Sequence, residues 1–303
     1  MMDQPLQIGI AGIGRMGAAI AARLLDRGHT VMIWNRTADK TRSLAAAGAT
    51  VAATPQELST AADCIITMLT DAAAIDATYQ GQNGLLAGKV RGKLFIDMST
   101  VRPEVETALS AKIREKGAAL IECPVGGTVG PAKEGKLFGF VGGDAGDVAR
   151  AKPVLDELCR RVEHVGTVGA GASMKLAINL PLLVYYQALG EALSLCRPLG
   201  LDPARLMDIF ADTSGGPNVL KVRGPAIAAA LQGKETAPVT FDVDLIRKDL
   251  RTMQEEAKAL GVTLPVSSCA LECYDDVARE GFGSSDGTTL PARWLRRAGP
   301  IRP

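Results

Sequence analysis

Lys175 is one residue of this chain that could move a proton. It stands among Met174, Leu176, Ala177 and Ile178, an apolar stretch of helical character, and Asn179 follows four residues later. On a helix that spacing sets both side chains on one face, a turn apart. An amine partly withdrawn from water can give a proton to a carbonyl oxygen as negative charge develops there. A neighbouring amide can hydrogen-bond the reacting molecule and orient the amine. The residues alone leave a second reading open, in which the lysine stem lies along a core and its ammonium snorkels to water.

A second constellation opens the chain. The apolar run Gln7-Ile8-Gly9-Ile10-Ala11 enters Gly12-Ile13-Gly14-Arg15-Met16-Gly17 and then an Ala-rich stretch. Strand, G-x-G-x-x-G and helix in that order form a cradle for the pyrophosphate of a dinucleotide. Gly12 supplies the tight turn, Gly14 lets backbone approach the phosphates, and Gly17 lets helix and strand pack closely. Ile13, Arg15 and Met16 complete the loop, and the helix directs free N–H groups at the anion. The next apolar run, Thr30 to Trp34, ends in Asn35-Arg36-Thr37. An NAD-binding domain usually carries an acid about 20 residues beyond the glycines, on the ribose hydroxyl. Asn35 stands there instead. Arg36 can clamp the extra phosphate of NADP and Thr37 can add a hydroxyl donor, so the reading favours NADP(H); a solvated arginine after a strand is the alternative.

These side chains need a scaffold, and the pattern supplies one. Through about residue 165, short apolar strands alternate with helical stretches: after the first two strands come 63–69, 93–97, 118–122 and 137–141, with helices over Thr37 to Ala47 and Pro103 to Lys116. The pattern predicts an α/β fold, a Rossmann-type, doubly wound parallel sheet whose ligand lies at the carboxyl ends of the strands. Gly169-Ala170-Gly171 then punctuates the chain, and only helices are expected beyond it. One is long and apolar, one opens at Asp202-Pro203, and one runs from Asp242 to Leu260 and stops at Gly261. The expected division is residues 1–168 for the cofactor and 169–303, all helical, for substrate and dimerisation, with the substrate held between the two. Pro181 should kink the long helix. Arg293-Trp294-Leu295-Arg296-Arg297 reads as a basic surface tail.

Strand ends at the ligand edge then draw attention. Met68-Leu69 can line the adenosine-ribose side. Thr100, after Asp97-Met98-Ser99, can meet the nicotinamide ribose or the substrate, although on its own Ser99-Thr100 reads more readily as a cap for the Pro103 helix. In Pro124-Val125-Gly126-Gly127-Thr128, adjacent glycines expose amides that suit a substrate carboxylate; an ordinary turn is the alternative. Ser214-Gly215-Gly216-Pro217-Asn218 is either a cover or a connector.

Composition narrows the class. The chain has 303 residues, 47% of them hydrophobic, and a formal net charge of +1. Its mean hydropathy is +0.12. That is ample for two cores and gives no basic field for nucleic acid. Six scattered cysteines form no C-x-x-C and are expected to be buried thiols; His29 and His164 lack the setting of a metal ligand or a catalytic base, so no metal is expected. The first strand begins within a few residues, so no secretory signal is expected ahead of it. The apolar stretch Leu176 to Cys196 carries Asn179, Pro181, Gln187 and Glu191, so a buried helix is expected rather than a membrane span. A soluble, cytoplasmic protein is the expectation.

Five segments in order give the chain a resemblance. They are Gly12 to Gly17 with Gly28-His29; Asp97 to Thr100; Pro124 to Thr128; Gly169 to Asn179; and Lys248-Asp249. Together they resemble the β-hydroxyacid dehydrogenases, the group that includes 3-hydroxyisobutyrate dehydrogenase, tartronate semialdehyde reductase and glyoxylate/succinic semialdehyde reductases. The resemblance implies that Lys175 and Asn179 are the catalytic lysine and its neighbouring asparagine, that Thr100 contacts ligand, and that Lys248 closes over the cofactor; a solvated helix lysine is the plain alternative for the last. Taken with Asn35-Arg36-Thr37, it implies NADP(H)-dependent hydride transfer on a small hydroxy acid or aldehyde; the apolar excess of the helical domain predicts a homodimer or larger homo-oligomer. The chain departs from the family pattern at Gly126, usually Ser, and at Thr128, usually Gly, which puts the usual hydroxy-acid recognition in question. An imine reductase is the first rival, against which Lys175 argues, since those enzymes commonly carry Asp or Tyr there. A non-catalytic NADPH-binding regulator is the second and would lack the proton donor.

Overall fold

The computed structural model describes residues 6–234 and 238–297, so the start of the chain and its last six residues lie outside it. The chain divides into two compact units, one ending at Ala177 and the other beginning at Ile178. The boundary falls inside one long helix.

The first unit is a nine-stranded sheet: β1 (Gln7–Ala11), β2 (Thr30–Trp34), β3 (Thr50–Val51), β4 (Cys64–Thr67), β5 (Leu94–Asp97), β6 (Ala119–Glu122), β7 (Val125–Gly126), β8 (Leu137–Gly142) and β9 (Cys159–Gly166). Its helices are α1 (Arg15–Asp26), α2 (Arg42–Ala46), α3 (Pro55–Ala61), α4 (Ala72–Gln80), α5 (Pro103–Glu115), α6 (Val129–Glu134), α7 (Ala145–Leu158) and the start of α8 (Ala170–Cys196). The strands lie in the order β3-β2-β1-β4-β5-β6-β8-β7, with β9 beside β8. Strands β4 and β5 are buried at every residue, as central parallel strands covered on both faces must be. Successive side chains serve opposite cores: Ile66, Ile96 and Ile121 pack with α1 residues Ile20 and Leu24, while Ile65, Phe95 and Leu120 pack with Leu58, Tyr79 and Ile113. Each such burial stabilises by about 1.5–3 kcal/mol.

The expected all-parallel sheet holds only as far as β6. There β8 pairs antiparallel with both β6 and β7. The reason is length: between β7 and β8 the chain has only the six-residue α6, too short for a crossover. The 14-residue α7 restores one, and β9 is again parallel to β8.

The second unit is helical: the rest of α8, then α9 (Pro203–Ala211), α10 (Asn218–Leu231), α11 (Val243–Ala259), α12 (Pro265–Val277) and α13 (Leu290–Arg297). Asp202 accepts from the Ala204 and Arg205 amides to cap α9, and Asp242 accepts from the Leu245 amide to cap α11. Among the described residues beyond β9 the only β pairing is an isolated bridge between Asp242 and Asp286. Helix α8 is long and apolar enough to cross a membrane by length and composition. It runs unbroken through Pro181. The predicted basic tail is instead the helix α13: the Trp294 indole donates to Gln187 at 2.9 Å, and a Cβ at Gly190 would overlap the same ring. An amphipathic aromatic anchored in this way overrides the charge of its neighbours.

Candidate active site

The loop from Gly12 to Gly17 joins β1 to α1 and is built by close approach. Gly12 has φ +102°, and a Cβ there would overlap the Met68 carbonyl oxygen, so the turn needs glycine. A Cβ at Gly17 would overlap the Gly12 carbonyl oxygen. Gly14 differs: nothing lies within 4 Å of where its Cβ would be, and it heads α1 with no side-chain cap. The α1 N-terminus therefore offers amides toward open space, the fit a dinucleotide pyrophosphate requires. The packing of Gly12 on Met68 brings Met68-Leu69 beside the loop. Asn35 accepts from the Ile13 amide at 2.9 Å and donates to the Thr37 carbonyl at 2.9 Å, so its carboxamide ties β2 to the glycine loop. Arg36 and Thr37 are exposed past the strand end, and Arg15 and Met16 lie on the first turn of α1.

A buried polar network lies behind the ends of β4 and β5. Asp97 accepts from the Thr67 hydroxyl at 2.5 Å and from the Ser99 amide at 2.7 Å; the Ser99 hydroxyl accepts from the Leu69 amide at 2.9 Å, and Thr67 also bonds the Tyr79 hydroxyl. Ser99 thus ties the two strand ends together and does not cap α5, whose N-cap is Arg102 without a side-chain bond. Burial raises the Asp97 pKa, and burial with the nearby Asp97 and Glu122 charges raises that of Glu106 well above its usual range. Contact with Asp97 adds to the rise at Glu106, whose buried Oε2 has no hydrogen-bond partner among the described residues. Thr100 follows this network, half-buried.

Gly126 ends β7, paired with Phe138, and Gly127 and Thr128 form the loop before α6. A Cβ at Gly126 would meet only ordinary contacts, the nearest at 3.7 Å to Phe138 and Phe140. A Cβ is accommodated there, so backbone crowding does not dictate the glycine.

On α8 the usual rule is inverted. Lys175 and Asn179 are each 9% exposed, whereas apolar Met174 and Ile178 are 40% and 44% exposed. The lysine lies on the buried face of the helix. Asn179 donates to Asp249 at 3.2 Å, and the other Asp249 oxygen pairs with Lys248 at 2.6 Å. Asp249 thus orients Asn179 and draws Lys248 into the same network. The sequence marks Asp249 only as the neighbour of Lys248, with no role of its own.

Glu122 was missed altogether. Its carboxylate is fully buried and accepts from the amides of Gly169 (2.5 Å), Gly171 (2.9 Å) and Ala172 (3.2 Å), at the opening of α8. Burial pushes its pKa up to about 7 against the pull of those three amides. The sign that could have found it is an acid ending an apolar strand, followed far downstream by a Gly-Ala-Gly-Ala helix start that has no capping side chain of its own.

Two expectations about other residues are settled by packing. Cys64, Cys123 and Cys159 are buried, but Cys196 and Cys273 are half-buried and Cys269 is exposed, because α8 and α12 turn those positions outward. His29 accepts from the Leu6 amide and bonds Glu157 at 2.8 Å, and His164 bonds the Gly143 and Gly166 carbonyls; both are structural.

Two family models match in series and together span nearly the whole chain: the NAD-binding domain of 6-phosphogluconate dehydrogenase over residues 7–166, and the NAD-binding segment of NADP-dependent 3-hydroxyisobutyrate dehydrogenase over residues 169–294. The chain belongs to the β-hydroxyacid dehydrogenase family. Among relatives of this dehydrogenase, a Pseudomonas aeruginosa 3-hydroxyisobutyrate dehydrogenase is 34% identical over 92% of this chain and 96% of its own. An NAD-dependent L-serine dehydrogenase of the same organism is 32% identical, over 92% and 95%. A Mycobacterium tuberculosis 3-hydroxyisobutyrate dehydrogenase solved with L-serine superposes with a TM-score of 0.83 at 28% identity, over 96% and 99%. The dehydrogenase is thus an oxidoreductase with a nicotinamide-binding domain.

Proposed function

We propose that this dehydrogenase uses NADP(H) to interconvert a small 3-hydroxy acid and its aldehyde or keto acid, with Lys175 as the proton carrier. The bound cofactor supplies or accepts the hydride at the substrate carbon. In reduction, Lys175 gives its proton to the carbonyl oxygen, and its charge offsets the negative charge developing there. Asn179, fixed by Asp249, donates a hydrogen bond to the substrate. Thr100 and the loop of Gly126, Gly127 and Thr128 form the substrate side, where loop amides suit a carboxylate. Gly12 to Gly17, Met68-Leu69 and Lys248 hold the cofactor. The observation that carries this reading is the inverted face of α8, with Lys175 and Asn179 buried and their apolar neighbours exposed. Burying a lysine costs free energy that packing alone does not return.

Preference for NADP(H) rests on Arg36. Asn35 is committed to Ile13 and Thr37, no acid replaces it, and the exposed Arg36 and Thr37 suit a ribose phosphate. Exposed apolar side chains in the helical unit, Leu195 at 84% and Val222 at 76%, support a homo-oligomer.

Initial rates with NADPH and NADH on glyoxylate, succinic semialdehyde, tartronate semialdehyde, 3-hydroxyisobutyrate and a cyclic imine test the reading. It expects carbonyl or hydroxy-acid turnover with NADPH preferred. Turnover of the imine alone, or of nothing while NADPH binds, would replace it with the reductase of imines or the regulator.

A further inference from the structure

Helix α8 carries Lys175 three residues beyond Ala172, yet no capping side chain of its own opens it. The opening amides are filled by Glu122, which arrives 47 to 50 residues earlier in sequence. The geometry around that carboxylate is built for it. Glu122 ends β6 opposite Gly142 of β8, and a Cβ at Gly142 would overlap the Glu122 Oε1 atom. Gly171 rests on the Phe140 carbonyl, where a Cβ would overlap as well. Strand and helix start are thus locked together through one acid with no slack on either side.

We propose that Glu122 is the positioning residue for Lys175, its ionised carboxylate clamping the first turn of α8 so that the lysine amine is held at its working place. The proposal rests on Lys175 being the proton carrier. Three charge-assisted bonds from N–H groups to one carboxylate fix both the direction and the depth of the helix start. An error of about 1 Å in the placement of a catalytic group can cost roughly a hundredfold in rate.

The clamp is also sensitive to protonation. Facing Glu122 are Asp97, its register partner on β5, Glu106 on α5, and the Cys123 thiol just beyond β6; from β8 and α8 come glycine backbone and amides, and His164 of β9 bonds the carbonyls of Gly143 and Gly166. Among the described residues Glu122 makes no ion pair. Burial therefore holds its proton until about pH 7. A protonated carboxyl presents an O–H to the amides and cannot keep all three bonds.

The test is amide hydrogen exchange at Gly169, Gly171 and Ala172 in the whole wild-type protein, corrected for intrinsic rates, together with kinetics of Glu122→Gln. Opening of the helix start alone leaves Glu122 buried and removes only the three amide bonds that favour its ionised form, so protection at these amides should rise by about tenfold between pH 6 and pH 8, unlike global stability. Gln keeps one acceptor oxygen and puts an NH2 against an amide. Glu122→Gln should therefore lose protection at the helix start and lower kcat by roughly ten- to a hundredfold, with the Kd for NADPH within about threefold of the parent. The acid limb of the kcat–pH profile near 7 should vanish with it. Protection that is flat across this pH range, or a Glu122→Gln enzyme with parental kcat and an unchanged acid limb, would overturn the clamp. Should the variant not fold, the wild-type exchange measurement decides alone. Failure of the lysine reading is distinguishable: Lys175→Met would then keep its activity, whatever the exchange at α8 shows.

Discussion

Helices α1 and α8 begin alike and are used oppositely. Both start on glycine-containing turns beyond strands of the same sheet, and neither has a capping side chain within its own first turn. At α1 the amides face open space beside Gly14. At α8 they are occupied by Glu122. One helix start is left for a ligand's negative charge, and the other is filled by the protein's own. The same local electrostatics thus serves binding in one place and the rigid presentation of Lys175 in the other.

Making the α1 start resemble that of α8 should have the largest effect of those on binding. Gly14→Asp would put a carboxylate where the phosphates are expected. Loss of two charge-assisted contacts at about 1.5–3 kcal/mol each predicts NADPH binding weaker by at least roughly a hundredfold. Fluorescence titration measures it; near-parental affinity would mean that α1 is not the anion site. Arg36→Ala removes one phosphate contact beyond β2. NADPH binding should weaken by roughly ten- to a hundredfold while NADH barely changes. Equal loss for both cofactors would deny Arg36 the phosphate role.

Glu122 offers a sharper contrast through pH. The folded protein holds the Glu122 proton to about pH 7, whereas its ordinary value is 4.5. Between these values the native state binds more protons than the unfolded chain, so stability is greatest at the acid end and declines as pH rises through the window. Glu122 alone accounts for a decline of roughly 3 kcal/mol at most. Asp97 and Glu106, also raised, act in the same direction. Urea denaturation at intervals from pH 4.5 to 7.5 should show a flatter profile for Glu122→Gln than for the parent. Identical slopes would mean that the carboxylate is solvated. The smallest effect is expected at Gly126→Ser. A Cβ meets only ordinary contacts there, so folding should be unaffected. Turnover of 3-hydroxyisobutyrate relative to the best aldehyde should rise by a few fold, about the worth of one hydrogen bond. An unchanged ratio would remove this position from substrate choice.

What could be read from the sequence follows the same division. Strands β1, β2, β4, β5 and β6 are continuous apolar runs, and the glycine loop announces itself by spacing, so the order of the first half was legible. Strand β9 was not, because Arg160, Arg161 and Glu163 interrupt any apolar pattern. The antiparallel end of the sheet was hidden too, since an apolar run carries no sign of its direction. Lys175 and Asn179 share one helix face, but their role came from the family resemblance, since the residues alone leave a snorkelling lysine open. Asp249, which holds Asn179 from 70 residues away, and Glu122 were not legible, because a lone acid at the end of a strand looks solvated until its partners are in place. Local chemistry is written locally; the supports of a site are written in contacts across the chain.

The central claim, that Lys175 carries the proton, is tested most directly by Lys175→Met. Met retains the length and apolar stem, so α8 should stay packed. Carbonyl reduction with saturating NADPH should fall by about three orders of magnitude or more in kcat, since general acid catalysis contributes about 10²–10⁴-fold and local electrostatic stabilisation adds to it. The Kd for NADPH should remain within a few fold. A folded Lys175→Met enzyme that binds NADPH and keeps most of its kcat would contradict the account.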